Sequence, residues 1–225
     1  MASGPAPDWD ADSPILRSNL ARVEDSIRAD ARARVKPSLA AARARHVAMM
    51  KGLKVPNPLF VGRFRGEAGL EDSGVRVGPL EGTHPDLVAG ELEEFESKLQ
   101  GTVAALDARY PIADSLDLDG MDAVVELAAW AHSQWVRIHP FGNGNGRSAR
   151  LWANLLLMRY GMRPVLRLRP RPDTPYGNAG RAGMQGNSAP MAVLIRSLHD
   201  ASFAGQQIQG KKVAKKVPRR VKTVR

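Results

Sequence analysis

Apolar residues along this chain fall into helical stripes for most of its length, and the places where the stripe breaks mark its elements. Leu16, Leu20, Val23 and Ile27 recur at three- and four-residue intervals with charges between them, the pattern of an amphipathic helix. Lys36-Pro37 interrupts it, because proline disfavours helical geometry in the residue before it yet suits the first turn of a new helix. A second helix is expected through Leu39, Ala42, Val47 and Met50, to about Leu53. Between Pro56 and Thr83 the spacing shortens. VGRFRGE and GVRVG alternate with period two around AGLEDS, which predicts a hairpin or two edge strands. From Pro85 the helical stripe returns through Leu92, Phe95, Leu99, Val103 and Leu106, and a further helix runs from near Asp119 through Val124, Ala128, Ala131 and Trp135. Leu151, Leu155 and Met158 mark another, closed by Gly161 and Pro164. Residues 163–188 are loop-rich around a short helix over Tyr176 to Met184, and the last helix is expected from Pro190 to about Phe203. The fold class is therefore all-α, or mostly α, with six or seven helices and a small β-hairpin; no internal repeat is visible.

Composition narrows the picture. With 225 residues, 43% of them apolar, the chain is no stapled mini-protein, coiled coil or disordered polymer, and one domain with a sizeable core is expected. No stretch approaches the roughly 18 uninterrupted apolar residues of a membrane span. There is no cysteine, which removes disulfides, thiolate zinc sites and cysteine nucleophiles. The opening MASGPAPDWDADSP has neither a basic n-region nor an apolar h-region, so a cytoplasmic setting without a membrane partner is the expectation.

The formal net charge of +10 suggests a nucleic-acid footprint until it is located. Residues 211–225 hold eight Lys/Arg and no acid, leaving 25 basic against 23 acidic residues elsewhere. The excess belongs to a tail. It reads as a solvated arm without aromatic stacking residues, able to contact RNA, DNA or an anionic surface weakly and less so as salt rises.

Residues 137–150, RIHPFGNGNGRSAR, differ in kind from their surroundings. Pro140 and the glycines end the preceding helix, which leaves His139 at a helix-to-loop junction. Gly142, Gly144 and Gly146 permit backbone turns that line up successive N–H groups as an anion nest. A helix starting near Asn145 points its unpaired amides at the same place. Arg147 and Arg150 lie on one face of its first turns. Base, nest and paired arginines within a dozen residues suit a polyphosphate. A GxGxG string alone is weak evidence, and here it lacks the strand of a Rossmann unit and the GK[ST] of a Walker loop.

HPFGNGNGRSAR resembles the core motif of the Fic (Fic/Doc) family, HxFx(D/E)GN(G/K)RxxR, at the His, Phe, Gly, Asn, Gly and both Arg positions. The resemblance implies a helical domain with the motif between two central helices and an upstream β-hairpin flap that aligns a target peptide. Its reach over residues 55–205 divides the chain into a disordered lead (1–14), N-terminal helices packed on the core (15–54), the Fic-type domain (55–205) and a basic flexible tail (206–225). It implies a protein adenylyltransferase: His139 is the general base that deprotonates a target Ser, Thr or Tyr hydroxyl, and the hydroxyl attacks the α-phosphate of ATP. Phe141 anchors the loop. Gly144, Asn145 and Gly146 form the anion hole, with Asn145 also orienting phosphates, while Arg147 holds the β-phosphate and Arg150 the γ-phosphate. Tyr176 falls where the family often has an aromatic near adenine. Val75, Arg76 and Val77 fall in the flap, where backbone pairing would dock an extended target segment.

One position departs from the motif. Asn143 stands where the family most often has the Asp or Glu that binds Mg2+ between the α- and β-phosphates, and a neutral amide is a weak ligand for a hard cation. A slower enzyme, another phospho-donor, or a nucleotide-binding module without turnover all remain open. Members of the family are often restrained by a helix bearing (S/T)xxxE(G/N). Here Glu81-Gly82 has the ending but Val77 fills the Ser/Thr position. That leaves an unrestrained enzyme, or one restrained by a separate antitoxin-like partner in a toxin–antitoxin pair. His132 reads as a structural histidine, His46, His84 and His199 have no partners at ligand spacing, and Trp130, Trp135 and Trp152 read as packing residues around the motif.

Overall fold

Polar caps and prolines set the helix starts. Ser13 Oγ accepts from the Leu16 N–H and opens α1 (Pro14–Arg32), and Ser38 Oγ does the same for α2 (Leu39–Met50) through the Ala41 N–H. The computed structural model describes residues 13–112, 115–169 and 172–214. The lead over 1–12 and the end of the basic tail, 215–225, lie outside the described residues. After α2 come a hairpin of β1 (Arg76–Val77) and β2 (Leu80–Glu81), then α3 (Pro85–Arg109), α4 (Leu118–Ile138), α5 (Asn145–Arg159), α6 (Thr174–Met184) and α7 (Ala189–Ala214). The fold is mostly α with a small antiparallel hairpin.

The predicted stripes are the buried faces. Leu16, Leu20, Val23 and Ile27 face inward on α1, and Leu92, Phe95, Leu99, Val103 and Leu106 do so on α3. Helix α4 is the axis of the molecule, packed by α3, α5, α6 and α7, and α1 closes over the other side of α5. Burial on so many sides explains its long apolar run, Val124 to Trp135. Phe95, Trp130, Trp135 and Trp152 form one aromatic cluster between α3, α4 and α5, with centroids 5.3 to 5.8 Å apart.

Three expectations need correction. VGRFRGE is not a strand: Gly62 and Gly66 take left-handed turns, and both Phe64 and Arg65 are buried, so the alternation there does not mark two faces. The hairpin lies instead within VRVGPLEG, with Arg76 opposite Glu81 and Val77 opposite Leu80. On α2, Val47 is exposed, and the inward face carries Arg45, His46, Met49 and Met50. Arg45 is buried because its guanidinium pairs with Asp30 at 2.7 Å and sits 5.7 Å over the Trp152 ring. Finally, α7 continues to Ala214 rather than stopping near Phe203: Ala, Gln and Lys in that stretch favour helix and no proline interrupts it, although Gly205 and Gly210 weaken it. Among the described residues no helix is long and apolar enough to cross a membrane.

Candidate active site

Helix α4 ends on a histidine where glycine is the usual choice. His139 adopts φ 53°, ψ 55°, with its N–H on the Trp135 carbonyl at 3.0 Å. For a side chain with a Cβ this left-handed conformation costs about 1–3 kcal/mol and persists only where its surroundings hold it. Arg65 does so. It is 1% exposed; its Nε donates to the His139 carbonyl at 2.7 Å and its Nη2 to Ile138 at 2.8 Å. These are the last carbonyls of α4, where the helix dipole favours a cation. The same guanidinium donates to the carbonyls of Thr83 (2.7 Å) and Ser73 (3.0 Å), which lie on either side of the hairpin. One buried side chain thus ties the base of the flap to the end of the central helix. Gly82 completes the contact, since a Cβ there would come within 2.7 Å of His139 Cβ.

The His139 ring is fixed as well. Its Nδ1 lies 2.6 Å from the Val136 carbonyl, which accepts only from an N–H, so in the neutral ring the lone pair is on Nε2. Burial, and secondarily the charge of Arg65, push its pKa below the ordinary histidine value, against the opposing pull of the Val136 carbonyl. The ring is therefore neutral at pH 7 and can accept a proton. It lines a cavity of about 610 Å³ bounded by the hairpin, the glycine loop, the start of α5 and α6.

The glycine loop is held from behind. Phe141 is fully buried, stacked 3.8 Å from the His46 ring and 5.0 Å from Phe64. Asn145 closes the loop on itself: its Oδ1 accepts from the Phe141 N–H at 2.9 Å and its Nδ2 donates to the Phe141 carbonyl at 2.8 Å. Both side-chain polar atoms of Asn145 are therefore spent on the loop, and what it offers an anion is its backbone amide at the first turn of α5. Of the three glycines only Gly144 uses a left-handed conformation (φ 81°), and a Cβ there would also collide with Met50 at 2.8 Å. Gly142 and Gly146 have ordinary backbones. Gly142 is needed for space against Phe60 at 2.9 Å, and Gly146 faces Arg150 and Tyr176.

His46 escaped the sequence reading. Its Nδ1 accepts from the Gly62 N–H at 3.0 Å, so its Nε2 carries the hydrogen and donates to the Asn143 carbonyl at 3.0 Å. Burial, with a smaller push from Arg147, lowers its pKa to about 4. A neutral imidazole thus positions the loop without adding charge. Asn143 lies 97 residues away, and no linear spacing signals the pair.

Arg147 and Arg150 are each 4% exposed, and both line the cavity. Arg150 donates to the Tyr176 hydroxyl at 2.7 Å and to the Leu168 carbonyl at 3.1 Å. A guanidinium only donates, so the Tyr176 O–H is turned to His132, whose Nε2 is 2.9 Å away. Burial and the charge of Arg150 lower the His132 pKa to about 3, which keeps it a neutral acceptor. Tyr176, expected near a nucleotide base, does line the cavity, but its hydroxyl is engaged in holding Arg150. On the flap, Val75 is half-buried and Val77 exposed, while Arg76 pairs with Glu81 across the hairpin at 2.6 Å. Glu81 is thereby turned to the flap and not to Arg150.

The residues around the nest do not fit a protein-held divalent cation. Among the described residues no Asp or Glu lines the cavity, and no cluster of three His, Asp or Glu could hold a metal. Asn143 Oδ1 accepts from the Gly144 N–H and stands 3.5 Å from an Arg147 nitrogen, a neutral oxygen already facing donors.

Comparison with known proteins bears on the family and the fold. The Fic/DOC family model matches residues 38–157, beginning just before α2. "Protein adenylyltransferase Fic" of Aedes aegypti is 57% identical over 42 residues, 19% of this chain and 8% of that protein, and "Protein adenylyltransferase fic-1" of Caenorhabditis elegans is 55% identical over the same length and shares. The chain therefore spans less than a tenth of these curated relatives. Among solved structures, Fic-1 of C. elegans superposes with a TM-score of 0.60 at 22% identity, covering 91% of this chain and 55% of that one. A Fic-domain protein of Bacteroides thetaiotaomicron gives 0.59 at 21%, with 91% and 74% covered, and the BepC protein of Bartonella tribocorum with bound AMPPNP gives 0.57 at 19%, with 81% and 85% covered. The match extends over more than half the sequence, and the chain belongs to the Fic/DOC family.

Proposed function

We propose that this chain is a nucleotidyltransferase that moves AMP from ATP to a Ser, Thr or Tyr hydroxyl of a target protein. The observation that carries it is the pairing of a neutral His139, its lone pair on Nε2, with the amide nest and guanidiniums of residues 144–150 on one cavity. In this reading Nε2 takes the hydroxyl proton as the oxygen attacks the α-phosphorus. A new P–O bond forms, the bond to the β-phosphate oxygen breaks, and pyrophosphate leaves. The loop amides and Arg147 receive the developing charge, and Arg150 holds the terminal phosphate. The hairpin supplies an open strand edge against which an extended target can lie, at Val75, Arg76 and Val77. Mg2+, which the family resemblance implies, finds no set of anionic ligands at the cavity among the described residues, and no step here is routed through it.

Arg150 carries no carboxylate among the described residues, so restraint by a separate protein that supplies one, with this chain as the toxin of a pair, belongs to the same proposal. Harmless, unimpeded expression in the native host would sink that part. Asn143 favours one other reading, a nucleotide-binding module without turnover. Incubating the protein and a cell lysate with α-labelled ATP, beside His139→Ala, separates the two. Label on protein that needs His139 supports transfer. ATP binding by calorimetry with no label under any divalent-cation condition supports the silent module.

A further inference from the structure

Among the described residues the cavity walls hold five arginines, Arg76, Arg147, Arg150, Arg169 and Arg181, and no acid. Arg76 is neutralised by Glu81. Arg147, Arg150, Arg169 and Arg181 line the space where the polyphosphate would lie. Arg147 and Arg150 belong to the motif, whereas Arg169 and Arg181 come from outside it, from the turn before α6 and from α6 itself. We infer that this chain binds and orients the nucleotide polyphosphate with arginine in place of a protein-held divalent cation, Arg181 and Arg169 joining the motif pair. The inference rests on the nucleotide reading above and goes beyond it to the charge chemistry of the site.

Three independent observations carry it. The first is the donor set: Asn143 offers a neutral oxygen already facing the Gly144 amide and Arg147, while a divalent cation wants anionic oxygens and is repelled by clustered guanidiniums. The second is unspent donor capacity. Arg150 uses two nitrogens on Tyr176 and Leu168, and its buried Nε has no partner among the described residues. Arg181 is exposed on the cavity rim, with no hydrogen bond or ion pair among the described residues. A guanidinium stays charged at every physiological pH, and its planar fork matches phosphate oxygens. The third is the face of α6. Gly177, Gly180, Arg181 and Met184 line the cavity at helical spacing, and a Cβ at Gly177 or Gly180 would meet nothing within 4 Å. Glycine weakens a helix interior, and no protein contact requires it here. The two glycines keep room open beside Arg181, as a ligand approaching that arginine requires.

Titration calorimetry of ATP into the full chain carrying His139→Ala, in EDTA and in excess Mg2+, tests this without turnover. The two affinities should agree within about threefold. On the same background Arg181→Ala should weaken ATP binding in EDTA about tenfold or more and AMP binding much less, with Arg181→Lys recovering part of the loss. Asn143→Asp should reverse the metal behaviour, lowering affinity in EDTA and restoring it with Mg2+. An ATP affinity that falls more than about tenfold in EDTA with Asn143 in place overturns the inference while leaving the nucleotide reading intact. So does an Arg181→Ala protein that binds ATP normally, with an unchanged melting curve showing it folded. Absence of ATP binding in both buffers removes the nucleotide reading, and the inference with it.

Discussion

Replacing Arg65 by methionine should damage both stability and the acid–base behaviour of the site. Methionine matches the stem and removes the guanidinium, so four carbonyls, of His139, Ile138, Thr83 and Ser73, lose their donors at once. A hydrogen bond to a charged group contributes about 1.5–3 kcal/mol, and a buried acceptor left bare costs about 1–3 kcal/mol. These terms overlap, and water entering from the half-buried Ser73 side recovers part of the loss. A net cost of about 3–4 kcal/mol is expected once that recovery is taken off the lost bonds. For a domain whose whole stability is about 5–15 kcal/mol this lowers the urea midpoint strongly without unfolding the protein in buffer.

The second effect separates Arg65 from an ordinary packing residue. Burial is the larger cause of the lowered His139 pKa and the Arg65 charge adds to it, so losing that charge raises the pKa of the ring. The proposed transfer needs the neutral ring and would fall as pH drops through that pKa; the acid limb of the kcat/KM profile should therefore move to higher pH in Arg65→Met. Arg65→Lys keeps the charge but reaches fewer carbonyls. It should lose stability while leaving the acid limb nearer its original place. Urea melts and a pH profile of labelling on the three proteins provide the comparison. An Arg65→Met protein with an unchanged urea midpoint and an unmoved acid limb would refute both the clamp and the electrostatic argument.

Three further outcomes follow from the same contacts. Tyr176→Phe removes one hydrogen bond from Arg150 and strands the neutral His132, so ATP binding should weaken about three- to tenfold with AMP binding unchanged, as calorimetry would show. Gly144→Ala forces a Cβ into Met50 at a left-handed position; it should cost about 2–4 kcal/mol in a denaturant melt and abolish nucleotide binding. His46 and His132 are held neutral with pKa values near 4 and 3, well below 6.5 for an exposed histidine. Between those values the unfolded chain binds more protons than the folded one. Stability is therefore full above about pH 6.5 and falls as pH drops towards 4, which melts across that range would register and His46→Gln should blunt.

The sequence showed what is local and hid what is assembled. The stripes of α1, α3 and α4 were legible because burial on a helix repeats every three to four residues, so the pattern carries the fold directly. The segment 139–150 was legible because nest, base and arginines are contiguous, joined by one loop and one helix start. Arg65, His46 and His132 were not. Each acts across 44 to 97 residues of chain, through a carbonyl or a hydroxyl whose position exists only once α4 and its neighbours have packed. The mistaken strand over VGRFRGE has the same origin: Arg65 reads as the polar half of an alternation, yet it is buried because α4 ends beside it with carbonyls to satisfy. A buried arginine facing only carbonyls has no carboxylate in the sequence to betray it. That asymmetry bears on the site. The motif residues specify which chemistry is attempted, while the residues that fix ring tautomer, loop shape and charge come from elsewhere in the fold. Substituting Asn143 alone therefore tests only one part of the site, and the arginines outside the motif must be varied with it before its metal dependence is understood.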